Sequence, residues 1–160
     1  MAKRKTCADD GCTIEFGLFH WRHACIGCGA EFCSKHCKKR SGQNYSGGLK
    51  EGKGFCKVCG PIFTAAVRRQ AKIEIWSKRY KGHVPVDETK ETKRIRSDWN
   101  RDWKDSEKEL RICAAYYGFD IVHMVSRSER TESEPSNRGK GRHYYTTWRV
   151  SGIAAYRMAK

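Results

Sequence analysis

Nine cysteines occur in this 160-residue chain, and eight of them fall in the first 60 positions as close pairs. Cys25 and Cys28 are separated by two residues, as are Cys56 and Cys59. That spacing lets one tight turn present both sulfurs to a single cation. Cys7 and Cys12 form a looser pair, and Asp9, three residues before Cys12, offers a substitute for Cys7. The remaining pair is ambiguous. Cys33 is followed at the usual spacing by His36 and immediately afterwards by Cys37. Either can close the site; Cys37 is taken as the ligand, with His36 as the alternative. Four such pairs make two four-ligand sites, and Zn2+ is the ion that prefers thiolate and imidazole in a tetrahedron. The ninth cysteine, Cys113, lies on an apolar stripe and reads as a small buried hydrophobe.

The segment that must position these donors is poor in aliphatic residues and carries the glycine-rich run GQNYSGGLKEGKG at 42–54. Burial alone would not hold such a segment together, so ligation must supply much of its stability. The basic start MAKRKTC is followed by no apolar run of the secretory kind. No stretch approaches the roughly 20 apolar residues of a membrane span. Paired cysteines in that setting imply metal binding rather than disulfides, and a cytoplasmic location compatible with nuclear, mitochondrial or endosomal association.

Downstream, PIFTAAVRRQAKIEIWSKRY predicts a basic amphipathic helix over 61–81, with Ile62, Ala66, Ile73, Trp76 and Tyr80 on one face. Residues 82–96, GHVPVDETKETKRIR, read as a linker. A second helix is predicted over 98–117 from the stripe Trp99, Trp103, Ser106, Leu110, Cys113 and Tyr117. Ser97 or Asp98 can cap it and Gly118 can end it. FDIVHMVS (119–126) and RHYYTTWRVS (142–151) read as strands joined by a long polar stretch. The expected fold class is small α+β: a two-zinc finger over 1–60, the basic helix, the linker, and a helix-plus-hairpin region over 97–160.

The order CTIEFGLFHWRHACIGCGAEFC resembles the FYVE zinc finger. Phe16 stands four residues after Cys12, Cys25 stands thirteen after it, and Gly29 and Phe32 complete C-x2-C-G-x2-F-C. The resemblance spans roughly residues 7–60. It implies a cross-brace, in which Cys7, Cys12, Cys33 and Cys37 (or His36) share one zinc and Cys25, Cys28, Cys56 and Cys59 share the other. It also implies binding to phosphatidylinositol 3-phosphate through R-[R/K]-H-H-C, W-x2-D and R-V-C. Here Trp21 replaces the first Arg, Arg22 and His23 follow, Ala24 replaces the second His, Gly54-Phe55-Cys56 stands for R-V-C, and no W-x2-D precedes Cys7. Charge-assisted bonds to a phosphate contribute about 1.5–3 kcal/mol each, so three missing donors predict a large loss of headgroup affinity. Leu18 and Phe19 fall where the family inserts an apolar tip into the bilayer; packing against the chain or a partner is the preferred role here.

The chain carries 33 basic and 18 acidic residues, a formal charge of +15, spread over both halves. That balance favours a polyanion. The candidate contacts are Arg22, His23, Lys38, Lys39, Arg40, Arg68, Arg69, Lys72 and Arg79. Trp99, Trp103, Tyr116, Tyr117, Tyr144, Tyr145 and Trp148 interleave with charge and could stack on bases, although core packing is their expected role. The six histidines are scattered, with no recognisable nucleophile beside any of them. The expectation is a non-enzymatic two-zinc protein that docks on RNA or a ribonucleoprotein. An anionic membrane or phosphoinositide is the alternative partner, and a protein partner is a third.

Overall fold

A computed structural model of the protein describes residues 6–17, 21–37, 54–136 and 141–159. The described residues fall into two compact units that divide between Ala65 and Ala66. Leu18, Phe19, Lys38, Lys39 and Arg40 lie outside the described residues.

The described residues of the first unit contain little regular structure. Strand β1 (His23–Ala24) pairs antiparallel with β2 (Glu31–Phe32), and single bridges join Thr6 to Glu15 and Cys37 to Cys56. Helix α1 (Cys59–Arg69) begins in this unit, with Pro61 in its first turn, where a missing N–H costs nothing. Among its described residues the buried side chains are cysteines together with Phe32, Phe55 and Phe63, and the Phe55 and Phe63 rings stack with centroids 4.4 Å apart. Such a small apolar inventory leaves the cysteines as the main organisers.

The predicted helix over 61–81 is shorter than expected. It ends at Arg69, passes through a 3-10 turn at Gln70–Lys72, and gives way to strand β3 (Glu74–Ser77). Its buried face carries Phe63 and Ala66, whereas Ile62 is 46% exposed. The Phe55–Phe63 stack fixes that phase. Ile73 is buried just before β3, because the short Glu74–Ser77 run pairs in parallel with a later strand. Sheet pairing thus overrides the helical pattern.

The second unit is a four-stranded sheet in the order β3-β5-β6-β4, built from β3, β4 (Lys93–Arg96), β5 (Ile121–Pro135) and β6 (Arg142–Ala155). β4 lies inside the segment expected to be a linker, and it pairs antiparallel with β6. It buries only Ile95 among its four residues, so KRIR shows charge rather than an apolar period. The hairpin strands were expected to end at 126 and 151, but they run on to Pro135 and Ala155. Beyond the Asn100–Trp148 bridge they pair only with each other among the described residues, as a two-stranded ribbon.

Helix α2 (Trp103–Tyr116) packs across β6, β4 and β5. It starts later than 98 because Asn100 still pairs with Trp148, through N···O contacts of 2.8 and 2.7 Å. Asp102 is the cap and accepts the Lys104 N–H at 2.8 Å. At the other end, Gly118 takes φ +86°, its N–H bonds Ala115 O, and Phe119 N–H bonds Ala114 O, so orphan carbonyls are satisfied. Leu110, Ala114, Val122, Val150 and Ala154 are fully buried and form the centre of the core.

Registry sorts the sheet into two faces, since cross-strand partners share a side. Ile95, Gly152 and the Val122–Ala154 pair share the α2 side. Arg127 joins them and reaches Trp103 and Glu107 of α2. The opposite face carries the rows Arg94–Ile153–His123 and Arg96–Ser151–Ser126, and it continues along the ribbon through Arg149, Arg130 and Tyr145.

Candidate metal centres

Among the described residues two groups of four donors emerge, and in each the ligand atoms all lie within 4.8 Å of one another. The first comprises Cys7, Cys12, Cys33 and His36; the second comprises Cys25, Cys28, Cys56 and Cys59. The pairs interleave along the chain, first with third and second with fourth. Each ion would therefore tie together segments that are distant in sequence.

In the first group, Cys7 and Cys12 flank a turn closed by Cys7 N–H to Ile14 O and Cys12 N–H to Asp9 O, both 3.1 Å. The Cys33 N–H points at Cys7 Sγ, 3.3 Å away. His36 turns its Nδ1 inward, 3.5 Å from both Cys7 Sγ and Cys33 Sγ. Its other nitrogen, Nε2, faces the Asp9 carboxylate at 3.8 Å, and that carboxylate also holds Lys57 at 3.0 Å. Asp9, weighed above as a substitute ligand, instead stands behind His36. A carboxylate on the far side of a ligating imidazole helps to orient it.

Cys37 is not in this group, which corrects the choice made from spacing. Both His36 N–H and Cys37 N–H bond the carbonyl of Cys33 at 3.0 Å, so the chain completes one turn between them. His36 faces back toward Cys33, while Cys37 bridges to Cys56 and is 1% exposed. Burial pushes the Cys37 thiol up to about 11, and the nearby Cys25, Cys56 and Cys28 add to the effect.

The second group is built from two turns that mirror each other. Gly29 N–H bonds Cys25 O at 2.8 Å, and Gly60 N–H bonds Cys56 O at 2.9 Å. Gly29 adopts φ +72°, a conformation that strains residues with a Cβ, which explains the glycine directly after the C-x2-C turn. The Cys56 N–H lies 3.3 Å from Cys25 Sγ, and the Ile26 N–H bonds Gly54 O at 2.7 Å, tying the turns together.

The donor set fits zinc. Seven sulfurs and one imidazole nitrogen are what the ion prefers, and seven of those eight residues are buried or half-buried, with backbone N–H groups that favour thiolate around Cys7 and Cys25. Burial pushes the Cys7 thiol up, but the N–H groups of Asp9 and Cys33, with His36 and Cys12, outweigh it and bring it down to about 7. Cys25 behaves likewise: burial raises it, and the backbone of Cys28, Cys56 and Gly27 with the Cys28 side chain lowers it to about 7. Each group thus supplies one thiol poised to lose its proton near neutrality, as metal uptake requires.

The candidate polyanion residues have varied fates. Arg22 pairs with Glu31 at 3.4 Å and lies over the Phe16 ring at 5.2 Å, and His23 sits in β1. Arg69 is committed to its own unit: its Nη2 bonds Asp120 Oδ1 at 2.5 Å and the carbonyls of Gly118 and Phe119. It therefore serves the end of α2 rather than a free polyanion surface. Arg68, Lys72 and Arg79 are exposed. The sequence reading overlooked Arg94, Arg96, Arg130 and Arg149, which share the sheet face opposite α2. The alternation of arginine in KRIR was the available signal.

The two groups are positioned to bind two zinc ions, and a small unit organised around interleaved sites of this kind is consistent with a zinc finger. The chain matches no family model, no curated protein and no solved structure.

Proposed function

We propose that this is a non-enzymatic two-zinc protein of FYVE-like design whose basic surface docks on RNA or a ribonucleoprotein. The observation that carries this reading is the charge of +15, spread over both halves of the chain. Phosphate contacts give such a surface an electrostatic, sequence-independent affinity. The zinc sites serve as scaffold: with all four positions filled by protein donors, a zinc ion has no open position for catalysis. The headgroup motif of the FYVE pattern argues against a lipid role, since two of its surviving groups are Arg22 and His23 and Arg22 is engaged by Glu31.

Binding of the zinc-loaded chain to structured RNA at about 50 and 200 mM salt tests the proposal. The expected result is binding at the lower salt that weakens steeply at the higher. Indifference to RNA at low salt would sink it. The membrane alternative predicts liposome binding that needs the 3-phosphate and disappears in Arg22→Ala. Equal binding to plain anionic liposomes would count against that alternative.

A further inference from the structure

We infer that the sheet face opposite α2 is a platform for single-stranded RNA, with guanidinium and aromatic groups for unpaired bases and free arginines for phosphates. This rests on the RNA-docking reading and gives it a place. The face runs from the His123–Ile153 row to the Glu134–His143 row, a length of about 33 Å at the rise of a strand. That is room for a run of several nucleotides.

Its chemistry alternates charge with planar rings. Arg130 and Arg149 both lie over the Trp99 ring, at 4.4 and 4.6 Å from the centroid. Arg101 lies over Tyr145 at 4.1 Å. A guanidinium held against a ring presents a fixed plane for base stacking and a fixed edge of donors for phosphate. The array is pre-organised. Asn100 and Ser97 sit on either side of Trp99 and are locked to β6: Ser97 N–H bonds Val150 O at 2.8 Å, and Asn100 bonds Trp148 in both directions. Ser97 Oγ also accepts the Val150 N–H at 3.0 Å.

Charge complementarity selects the occupant. Glu132 and Glu134 are the acidic groups of the ribbon face, and they are taken by Arg130 and Arg101. Arg94, Arg96 and Arg149 have no carboxylate partner among the described residues, and Arg94 and Arg96 stand exposed two residues apart on β4. The Nε of Arg149 is buried with no hydrogen-bond partner, a donor already desolvated. An acidic protein would satisfy the charges but leave the stacked planes unused. A duplex hides its bases and offers only phosphates. Unpaired RNA uses both.

The test compares the zinc-loaded full chain with Arg94→Gln/Arg96→Gln, and with Lys104→Gln/Lys108→Gln as an equal loss of charge from exposed positions of α2. The probe is oligouridine of about 15 nucleotides, set against duplex RNA of the same length. Wild type should prefer the single strand. The β4 double variant should bind at least about tenfold more weakly, with a salt slope shallower by about 1.4 for two lost phosphate contacts. The α2 variant should match wild type. Trp99→Leu is read only through the ratio of single-strand to duplex affinity, which a smaller folded fraction does not move, and that ratio should fall. Failure of wild type to bind any RNA would remove the RNA-docking reading and this inference with it. RNA binding by wild type with equal losses in the β4 and α2 variants would overturn the platform and leave RNA docking standing. Equal affinity for single strand, duplex and phosphatidylserine vesicles would overturn the assignment to unpaired bases.

Discussion

His36 and Cys37 are neighbours in the chain but have different surroundings. His36 Nδ1 lies 3.5 Å from two sulfurs of the first group, whereas Cys37 lies buried beside the second. His36→Ala should therefore lower the zinc content from two ions per chain toward one by elemental analysis, while Cys37→Ala should keep both. Loss of an ion in Cys37→Ala alone would restore Cys37 as the ligand. Asp9→Asn should weaken the first site about 10- to 100-fold in competition with a chelator, because the carboxylate behind His36 orients it. Cys7 and Cys25 are held at about 7, below the free-thiol value of 9.0, so the fold favours their thiolates above that point and loses the advantage as pH falls through it. Zinc affinity should fall as pH drops from about 7.5 to 6, and each binding event should release protons. Cys25, Cys28, Cys56 and Cys59 were legible in the sequence because a two-residue gap is a property of one local turn, and Cys7 with Cys12 was legible as a looser pair. The choice between His36 and Cys37 was not, since it depends on which of two adjacent residues turns back to Cys33 and which goes on to bridge Cys56.

At the level of elements, the segment between β4 and α2 is held by a buried polar network. Asn100 Nδ2 donates to Glu109 Oε2 at 2.9 Å and to Ser106 Oγ at 3.2 Å, and Ser106 Oγ donates to Trp148 O at 2.8 Å. Asn100→Leu removes the donor that faces a buried carboxylate. It should destabilise the second unit by about 1–3 kcal/mol in denaturant unfolding, with the zinc count unchanged. The bulge in β5 is a second point of sensitivity. Met124 takes φ 53° there, and opposite it a Cβ on Gly152 would meet Val122 Cγ1 at 2.7 Å and Val125 Cγ2 at 2.9 Å. Gly152→Ala should cost about 1–3 kcal/mol through overpacking. These features explain what the sequence concealed. α2 and the hairpin were visible from their periodicity, but β4 buries a single residue and β3 follows a helix without a break in apolar pattern. Both strands exist because β5 and β6 offer them partners, and a partner distant in the chain leaves no local signature.

For the whole molecule, the two units rest on different sources of stability. The second has a conventional core: Leu110, Ile121, Val122, Val150 and Ala154 are fully buried beneath α2 or within the sheet. Among its described side chains the first buries Phe32, Phe55 and Phe63 and otherwise cysteine, and much of its organisation runs through sulfur: Cys33 N–H to Cys7 Sγ and Cys56 N–H to Cys25 Sγ. Thiolates gathered within 4.8 Å repel one another unless a cation sits among them. Removing zinc should thus unfold the first unit while the second keeps its structure. Hydrogen exchange followed by mass spectrometry checks this directly. In excess strong chelator, amides in 6–17, 21–37 and 54–60 should lose their protection, whereas those of α2, β5 and β6 should keep theirs. Restoring two equivalents of zinc should return the first set. Unfolding of both units together on chelation would show that the sheet depends on the metal sites, and unchanged protection in 6–17 and 21–37 would show that the cysteines cohere without them.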